Sequence, residues 1–330
     1  MRDRAIDVAK GLGILLVVLG HSRLAEPGGV LHRVIFSFHM PLFFLLAGMF
    51  LRPEAGVGRT VRTRAVTLLA PYVAVSLAVG LARLPEMLAA ADWPAPAIRF
   101  AAGVLYGTGA TIPWAPLWFL PHLFFASTVA VALLARTGEA PARLLLISAF
   151  LILGGAAGVA AIGPTWALPW SADLLPVTVG IMLAGKAVAP VVRAGIGWRA
   201  AVGAAPAFAA LHFAWGAELD LNRRHVGGVA LVSLEAALGI WLCLGLASAL
   251  AASRAGAALA YLGARTMPIL LFHWFLLAVV FAALDVHGVG VRASALASIL
   301  VACLAPVAAR DAAAWLSAAV ASRRPSGGTF

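Results

Sequence analysis

The sequence predicts an all-α, polytopic integral membrane protein with about ten transmembrane helices. Of its 330 residues, 63% are hydrophobic and 11% are charged, whereas a soluble domain carries about 25% charged residues. The mean hydropathy is +0.99. The apolar runs are long and continuous, as spanning helices require, and do not alternate over ten residues as β-barrel strands do. The chain leaves no room for a separate soluble domain.

Eleven apolar segments are candidates for spans. They cover residues 11–30, 32–51, 65–84, 97–112, 116–135, 144–163, 173–192, 200–217, 229–250, 266–286 and 293–318. The segment 97–112 is the weakest, because it is short, contains Arg99 near its start and is broken by glycines at 107 and 109. We interpret it as an interfacial or re-entrant segment, which leaves ten spans.

The distribution of cations predicts the orientation. With ten spans and the N-terminus inside, 17 of the 24 Lys and Arg residues fall on the inside, as the positive-inside rule requires. We therefore expect a multi-pass protein of the cell inner (plasma) membrane with both termini cytoplasmic. The net charge of +11 is explained by these loop cations, so no nucleic-acid partner is expected. Residues 321–330 are predicted to form a short disordered cytoplasmic tail.

Three further residues fall inside predicted spans. Cys243 and Cys303 are interpreted as small core residues, because both lie in apolar runs. Glu235 lies deep in a span and must be paired or protonated there. No zinc or nucleophile signature occurs in the chain, and no metal is expected.

The first two predicted spans each contain a histidine, His21 and His39. A full charge inside a span costs roughly 2.5–3.5 kcal/mol on insertion scales, so ionisable residues face a bundle interior or a wet cavity. Lys10 precedes His21 by eleven residues, about 16 Å along a helix. This predicts Lys10 at the cytoplasmic mouth and His21 near mid-membrane, where His39 can meet it. The alternative for both, and our preferred interpretation of His273, is hydrogen bonding that fixes helix packing.

An arginine-rich loop follows the second span. It contains Arg52, Arg59, Arg62 and Arg64 and leads into the sequence LLAPY. Guanidinium groups suit phosphate, and Arg62 and Arg64 are the better candidates because they lie closer to the next span. The alternative is a topology signal that binds anionic lipid headgroups.

Two polar groups are predicted on the outside. Trp118 and His122 are four residues apart and share a helix face, so they are candidates for a carbohydrate-accepting mouth; the alternative is an aromatic belt at the membrane interface. The most polar stretch of the chain, 218–225, contains Asp220 and Asn222. These two are further candidates for acceptor binding, and the alternative is an ordinary solvated loop.

These residues carry a family resemblance. The chain resembles the membrane acyltransferase-3 family, in particular its fucose 4-O-acetylase-like branch. The matching segments occur in family order from residue 6 to 275 and are IDVAKGLGILLVVLGHS, SFHMPLFFLLAGMFLR, the arginine-rich approach to LLAPY, PLWFLPHLF, DLNRRHVGG and YLGARTMPILLFHWF. The first two are specific and the others are loose. One departure is Ala47, where many members have serine.

The resemblance implies an acyltransferase-3-like transmembrane domain over residues 1–320 and about ten spans. It implies transfer of an acyl group, usually acetyl, from cytoplasmic acyl-CoA to a carbohydrate hydroxyl. In this family the residue matched by His21 is catalytic, and a basic residue eleven positions earlier is matched by Lys10. Arginine after the second span, matched by Arg62 or Arg64, is also implicated.

We therefore expect a membrane O-acyltransferase that uses acetyl-CoA as co-substrate and modifies a surface or lipid-linked glycan. His21 is expected to be the base or a transient acyl carrier, and His39 to orient it or to stabilise the oxyanion. Lys10, Arg62 and Arg64 are expected to hold CoA. The main alternative is a proton-coupled transporter or flippase for a lipid-linked sugar or small metabolite, with the histidines as a proton relay. A non-catalytic assembly partner is a third possibility.

Overall fold

The computed structural model describes residues 3–163, 166–215 and 219–322. Almost all of this part of the chain is helical, and its strands are the two-residue pair β1 (Leu219–Asp220) and β2 (His225–Val226). Eight helical segments within it are long and apolar enough to cross a membrane. They are Val30–Met49, Val57–Leu88, Ala115–Thr137, Pro141–Ile162, Pro169–Ala194, Val229–Leu250, Thr266–Val286 and Val291–Ser317. The predicted all-α, polytopic membrane class is confirmed.

The α-helices follow one another with short connections. In chain order they are α1 (Arg4–Gly20), α2 (Val30–Met49), α3 (Val57–Arg64), α4 (Ala70–Leu88), α5 (Ala95–Tyr106), α6 (Phe119–Thr137), α7 (Pro141–Ile162), α8 (Leu175–Ala194), α9 (Trp198–Gly203), α10 (Ala205–Trp215), α11 (Val229–Leu250), α12 (Arg254–Gly263), α13 (Thr266–Val286) and α14 (Val291–Ser322). A π-helical turn, Ala65–Leu69, joins α3 to α4. Short 3₁₀ turns cover Pro53–Ala55, Ala115–Trp118 and Pro169–Leu174.

The first helix differs in its bounds from the predicted span 11–30. It begins at Arg4 because the Asp3 carboxylate caps it, accepting hydrogen bonds from the next turn at 3.1 and 3.4 Å. It ends at Gly20, where the Ser22 hydroxyl donates to the carbonyl of Leu19 at 2.7 Å. His21 is therefore the C-terminal cap residue of α1 and does not lie inside the helix.

Two other predicted segments are short helices. The segment 200–217 is divided between α9 and α10, which meet at Ala204; Pro206 lies in the first turn of α10, where its missing N–H costs nothing. The segment 97–112 contains only α5, twelve residues long, which ends at Gly107 in the left-handed region at φ +67°. At about 1.5 Å per residue α5 is about 18 Å long and too short to span a membrane, as our interfacial or re-entrant interpretation requires.

Glycines bring the long helices into backbone contact. A Cβ added at Gly48 of α2 would lie 2.0 Å from the carbonyl oxygen of Met182 in α8, and one added at Gly185 would lie 2.1 Å from that of Leu45. Helix α1 approaches α12 equally closely through Gly11. Small residues at such crossings are how membrane helices gain van der Waals contact, since lipid supplies little hydrophobic driving force.

One polar pair lies in the interior of the helix bundle. Glu235 of α11 accepts a 2.7 Å hydrogen bond from Nδ1 of His212 in α10, and both side chains are buried. This supplies the partner that a carboxyl group in a span requires.

Helix α14 continues through Ser322, so the first two residues of the predicted tail are helical. Residues 323–330 lie outside the described residues.

Candidate functional site

Helices α1 and α2 each present one face to a shared cavity of about 390 Å³. From α1 the lining residues are Lys10, Ile14, Val17 and His21. Their spacings of four, three and four residues keep them on one side of a helix. From α2 the lining residues recur with the same period and are Phe36, His39, Met40, Phe43, Leu46, Ala47 and Phe50. The cavity therefore follows the axes of the two helices.

Seven of the nine residues singled out in the sequence line this cavity. They are Lys10, His21, His39, Arg64, Trp118, Asp220 and Asn222. The other two lie elsewhere: Arg62 is exposed on α3, and His122 is buried within the helix bundle. The residues come from five separate parts of the chain, so the fold and not the local sequence assembles them. Ala47 also lines the cavity.

The His21 imidazole is held in one tautomer. Its Nδ1 lies 2.8 Å from the carbonyl oxygen of Val17. A carbonyl oxygen can only accept, so Nδ1 carries the proton, and in the neutral ring Nε2 keeps its lone pair. Asp220 lines the same cavity as this ring. The geometry gives His21 a free basic nitrogen while its ring orientation is fixed by the backbone.

His39 is oriented in the same way and is buried. Its Nδ1 donates to the carbonyl of Ile35 at 2.9 Å, and 2% of the residue is exposed. The Phe36 ring lies between the two imidazoles, with its centroid 5.8 Å from that of His21 and 4.7 Å from that of His39. The neutral His39 ring has no second N–H to donate.

A third imidazole belongs to this group and was interpreted in the sequence as packing. The His273 ring centroid lies 5.3 Å from that of His21, and the side chain is fully buried. Its Nδ1 donates to the carbonyls of Ile269 and Leu270, at 3.0 and 2.9 Å. The only sequence signal was a histidine in a third apolar run, since the contact with His21 joins residues 252 positions apart.

Cations surround the C-terminal end of α2. Lys10 Nζ lies 4.7 Å from the centroid of the Phe50 ring, and the Arg193 guanidinium lies 5.9 Å from the same ring. Lys10 also pairs with Asp7 at 3.6 Å, and Arg193 donates to the carbonyl of Met49 at 3.1 Å. Neither Phe50 nor Arg193 was predicted from the sequence as a site residue.

Arg64 reaches the cavity at the junction of α3 and α4. It is half-buried and is followed directly by the π-helical turn Ala65–Leu69, whose Leu68 also lines the cavity. Pro71 explains this turn, because it has no N–H for the carbonyl four residues earlier. A π-helical turn widens the helix locally and is frequent at functional sites. Because of this turn, the direction in which Arg64 points is not set by the regular α-helical geometry of the following span.

The segment with Asp220 and Asn222 is fixed by a buried ion pair. Arg224 Nε and Nη2 donate to the two oxygens of Asp173 at 3.0 and 3.1 Å, and Arg224 Nη1 donates to the Asn222 carbonyl at 2.7 Å. The Arg224 side chain is 3% exposed and that of Asp173 is 12% exposed. Asp220 accepts from the backbone N–H of Arg223 at 3.0 Å. The hairpin is therefore anchored to the 3₁₀ turn that precedes α8, while two polar side chains line the cavity.

His122 lies behind the part of the cavity wall that Trp118 forms. Its Nδ1 donates to the carbonyl of Trp170 at 3.0 Å, and its Nε2 lies 2.9 Å from the Thr178 hydroxyl. Both nitrogens are thus engaged. Trp170 and Ser171 have φ of +54° and +55°, uncommon for residues other than glycine. The ring of Trp118, which does line the cavity, is 5.5 Å from that of His122.

The arrangement combines three capabilities. It offers a basic nitrogen with a fixed tautomer, cations in an enclosed space, and an apolar wall that limits water. Among the described residues, no group of three or more His, Cys, Asp or Glu side chains is placed to hold a metal ion. Base-assisted transfer between two organic groups is chemistry that these residues can support.

Comparison with known protein families gives one match. The family model of the acyltransferase-3 type, described as an acyltransferase domain, matches residues 3–310. Comparisons with curated proteins and with solved structures gave no significant match. The matched range includes every residue that lines the cavity and nearly all of the helical bundle. The chain therefore belongs to the acyltransferase-3 family and is a membrane acyltransferase.

Proposed function

We propose that the protein transfers an acetyl group from cytoplasmic acetyl-CoA to a hydroxyl of a surface or lipid-linked carbohydrate, in the inner membrane of a bacterium. The observation that carries this proposal is the single cavity that contains both Lys10 and His21. The two residues are about 16 Å apart along α1. A donor entering at one position and an acceptor entering at the other would meet at the imidazole.

The donor half of the proposal rests on the cations. Lys10 and Arg64 line the cavity, and Arg62 is exposed two residues earlier on the same helix. Guanidinium and ammonium groups bind phosphate through charge-assisted hydrogen bonds. The mostly apolar wall between Lys10 and His21 suits the uncharged arm that carries a thioester. The phosphates of CoA would then remain near the cations while the acyl carbon reaches His21.

The transfer step uses the lone pair on His21 Nε2. It removes the proton of the attacking hydroxyl as the new C–O bond forms at the thioester carbon. The tetrahedral oxyanion then collapses, the C–S bond breaks, and the CoA sulfur leaves with the proton from His21. Because neutral His39 has no free N–H, we assign it the role of orienting His21 through Phe36. General-base assistance of this kind contributes about 10²–10⁴-fold.

The acceptor half rests on Trp118, Asp220 and Asn222. A carboxylate and an amide can bind several sugar hydroxyls, and an indole face can pack on a sugar ring. His122 supports this acceptor wall through its ring contact with Trp118 and does not itself line the cavity. We propose that both termini are cytoplasmic, in keeping with the bias of cations. The family membership supports transfer chemistry over the alternative of a transporter or flippase.

Replacement of His21 by Gln tests the function. Glutamine keeps hydrogen bonding but cannot exchange a proton, so ester-linked acetate on the surface glycans should fall by at least about 10²-fold. His287→Gln is the matched control, because His287 is exposed beyond the far end of α13. Acetate is measured after mild alkaline release, in cells with matched expression and in cells without the gene. Acetylation near wild-type levels in His21→Gln cells would rule out His21 as the base.

A further inference from the structure

One ring nitrogen of His273, Nε2, has no hydrogen-bond partner among the described residues. His273 Nδ1 donates to two backbone carbonyls of α13, so in the neutral ring Nε2 carries a lone pair. This atom is buried and accepts no hydrogen bond from the described residues. A buried acceptor without a partner is unfavourable in the resting protein and is uncommon in native structures.

The His273 ring is in contact with the ring of His21. Their centroids are 5.3 Å apart with an interplanar angle of 56°. The Trp274 ring lies 5.2 Å from His21 on the same helix as His273. His273 does not line the cavity, whereas His21 does. It therefore contacts the imidazole from the protein side, away from bound substrates.

We infer that His273 is a positioning residue whose Nε2 lone pair stabilises the positive charge that His21 acquires during acyl transfer. The inference rests on the proposed function of His21 as base. In the resting state both rings are neutral, and the His273 lone pair is unsatisfied. When the proton of the acceptor hydroxyl moves to His21 Nε2, the His21 ring becomes a cation, with its centroid 5.3 Å from that of the His273 ring. The interaction thus strengthens as charge develops, which is the condition for lowering a barrier.

Three substitutions at position 273 separate this role from packing. His273→Phe fills the space but removes the lone pair. His273→Asn can still donate to the helix carbonyls but is too short to present an acceptor to His21. His273→Gln is longer and can present its amide oxygen where Nε2 was. The inference predicts that Gln retains most activity while Phe and Asn lose about 10- to 100-fold in kcat.

The measurement is the initial rate at which isolated membranes move label from radiolabelled acetyl-CoA into their own glycan fraction. The KM for acetyl-CoA should stay unchanged in all three variants, because His273 does not line the cavity. Size-exclusion profiles in detergent report folding, and His287→Gln again serves as the control. If His273 only packs, Phe should be active, because it removes an unsatisfied buried polar atom. Full activity in folded His273→Phe membranes would overturn the inference.

A double variant and the wild-type rate distinguish a wrong role for His273 from a failure of the proposed acetyl transfer. If His273 acts through His21, adding His273→Phe to His21→Gln should not lower the residual rate further. An additional loss of the same size as in the single variant would show that His273 acts independently and would overturn the inference. Wild-type membranes that transfer no label would instead overturn the acetyl-transfer proposal, and the inference with it.

Discussion

The ion pair between Asp173 and Arg224 makes a quantitative prediction about stability. Asp173→Asn removes the charge but keeps the shape, leaving a guanidinium that is 3% exposed without its counter-ion. Breaking one partner of a buried pair costs about 3–5 kcal/mol. The Asp173 side chain retains 12% exposure, so water reaches the gap and the lower end applies. We expect a loss of about 3 kcal/mol, a large share of the 5–15 kcal/mol that stabilises a typical protein.

The assay is denaturant unfolding in detergent micelles, followed by tryptophan fluorescence. Trp170, one of the ten tryptophans, lies in the 3₁₀ segment that contains Asp173, so part of the signal comes from the affected region. Glu86→Gln is the matched control, because it removes an exposed i,i+3 partner of Arg83, with side chains 70% and 47% exposed. Such a pair contributes about 0–1 kcal/mol. If Asp173→Asn and Glu86→Gln unfold at the same denaturant concentration, the pair does not stabilise the hairpin.

Two further predictions concern topology and the donor. Reporter fusions after Arg59 and after Arg199 should both give a cytoplasmic signal, because the ten-span orientation puts 17 of 24 cations on that side; a periplasmic signal at either position contradicts it. Arg64→Ala should weaken acetyl-CoA binding in a detergent titration more than Arg62→Ala, because only Arg64 lines the cavity. Arg64→Lys should restore part of the affinity, since lysine keeps the charge but loses the bidentate fork. If the two alanine variants bind acetyl-CoA with equal affinity, both arginines are topology signals and not part of the donor site.

The properties that were predicted from the sequence are those that depend on local patterns of residues. Long apolar runs predicted the membrane class, which the structure confirms, and the resemblance predicted the acyltransferase-3 family, which the family match confirms. The fucose 4-O-acetylase-like branch stays a prediction. The eleven-residue spacing of Lys10 and His21 predicted that the two residues lie about 16 Å apart along one helix. The cavity brings both residues together.

Contacts between segments that are distant in the sequence could not be predicted from any local sequence pattern. The contact of His273 with His21 and the pairing of Arg224 with Asp173 depend on how helices pack, not on residues nearby in sequence. The start of α1 was missed for another reason: the charged residues before position 11 argued against a span there, whereas the Asp3 cap extends the helix through them. Hydropathy detects burial in lipid and not the ends of helices.

The shared face of α1 limits which mutations this helix can tolerate. At about 100° per residue, the eleven steps from Lys10 to His21 amount to about 1100°, only about 20° beyond three full rotations. Exchanging one apolar residue for another between them leaves this phase intact. Deleting a single residue rotates His21 by about 100° relative to Lys10 and removes one of them from the cavity. The number of residues in this stretch is thus constrained more tightly than their identity, and length changes there should be far more damaging than substitutions.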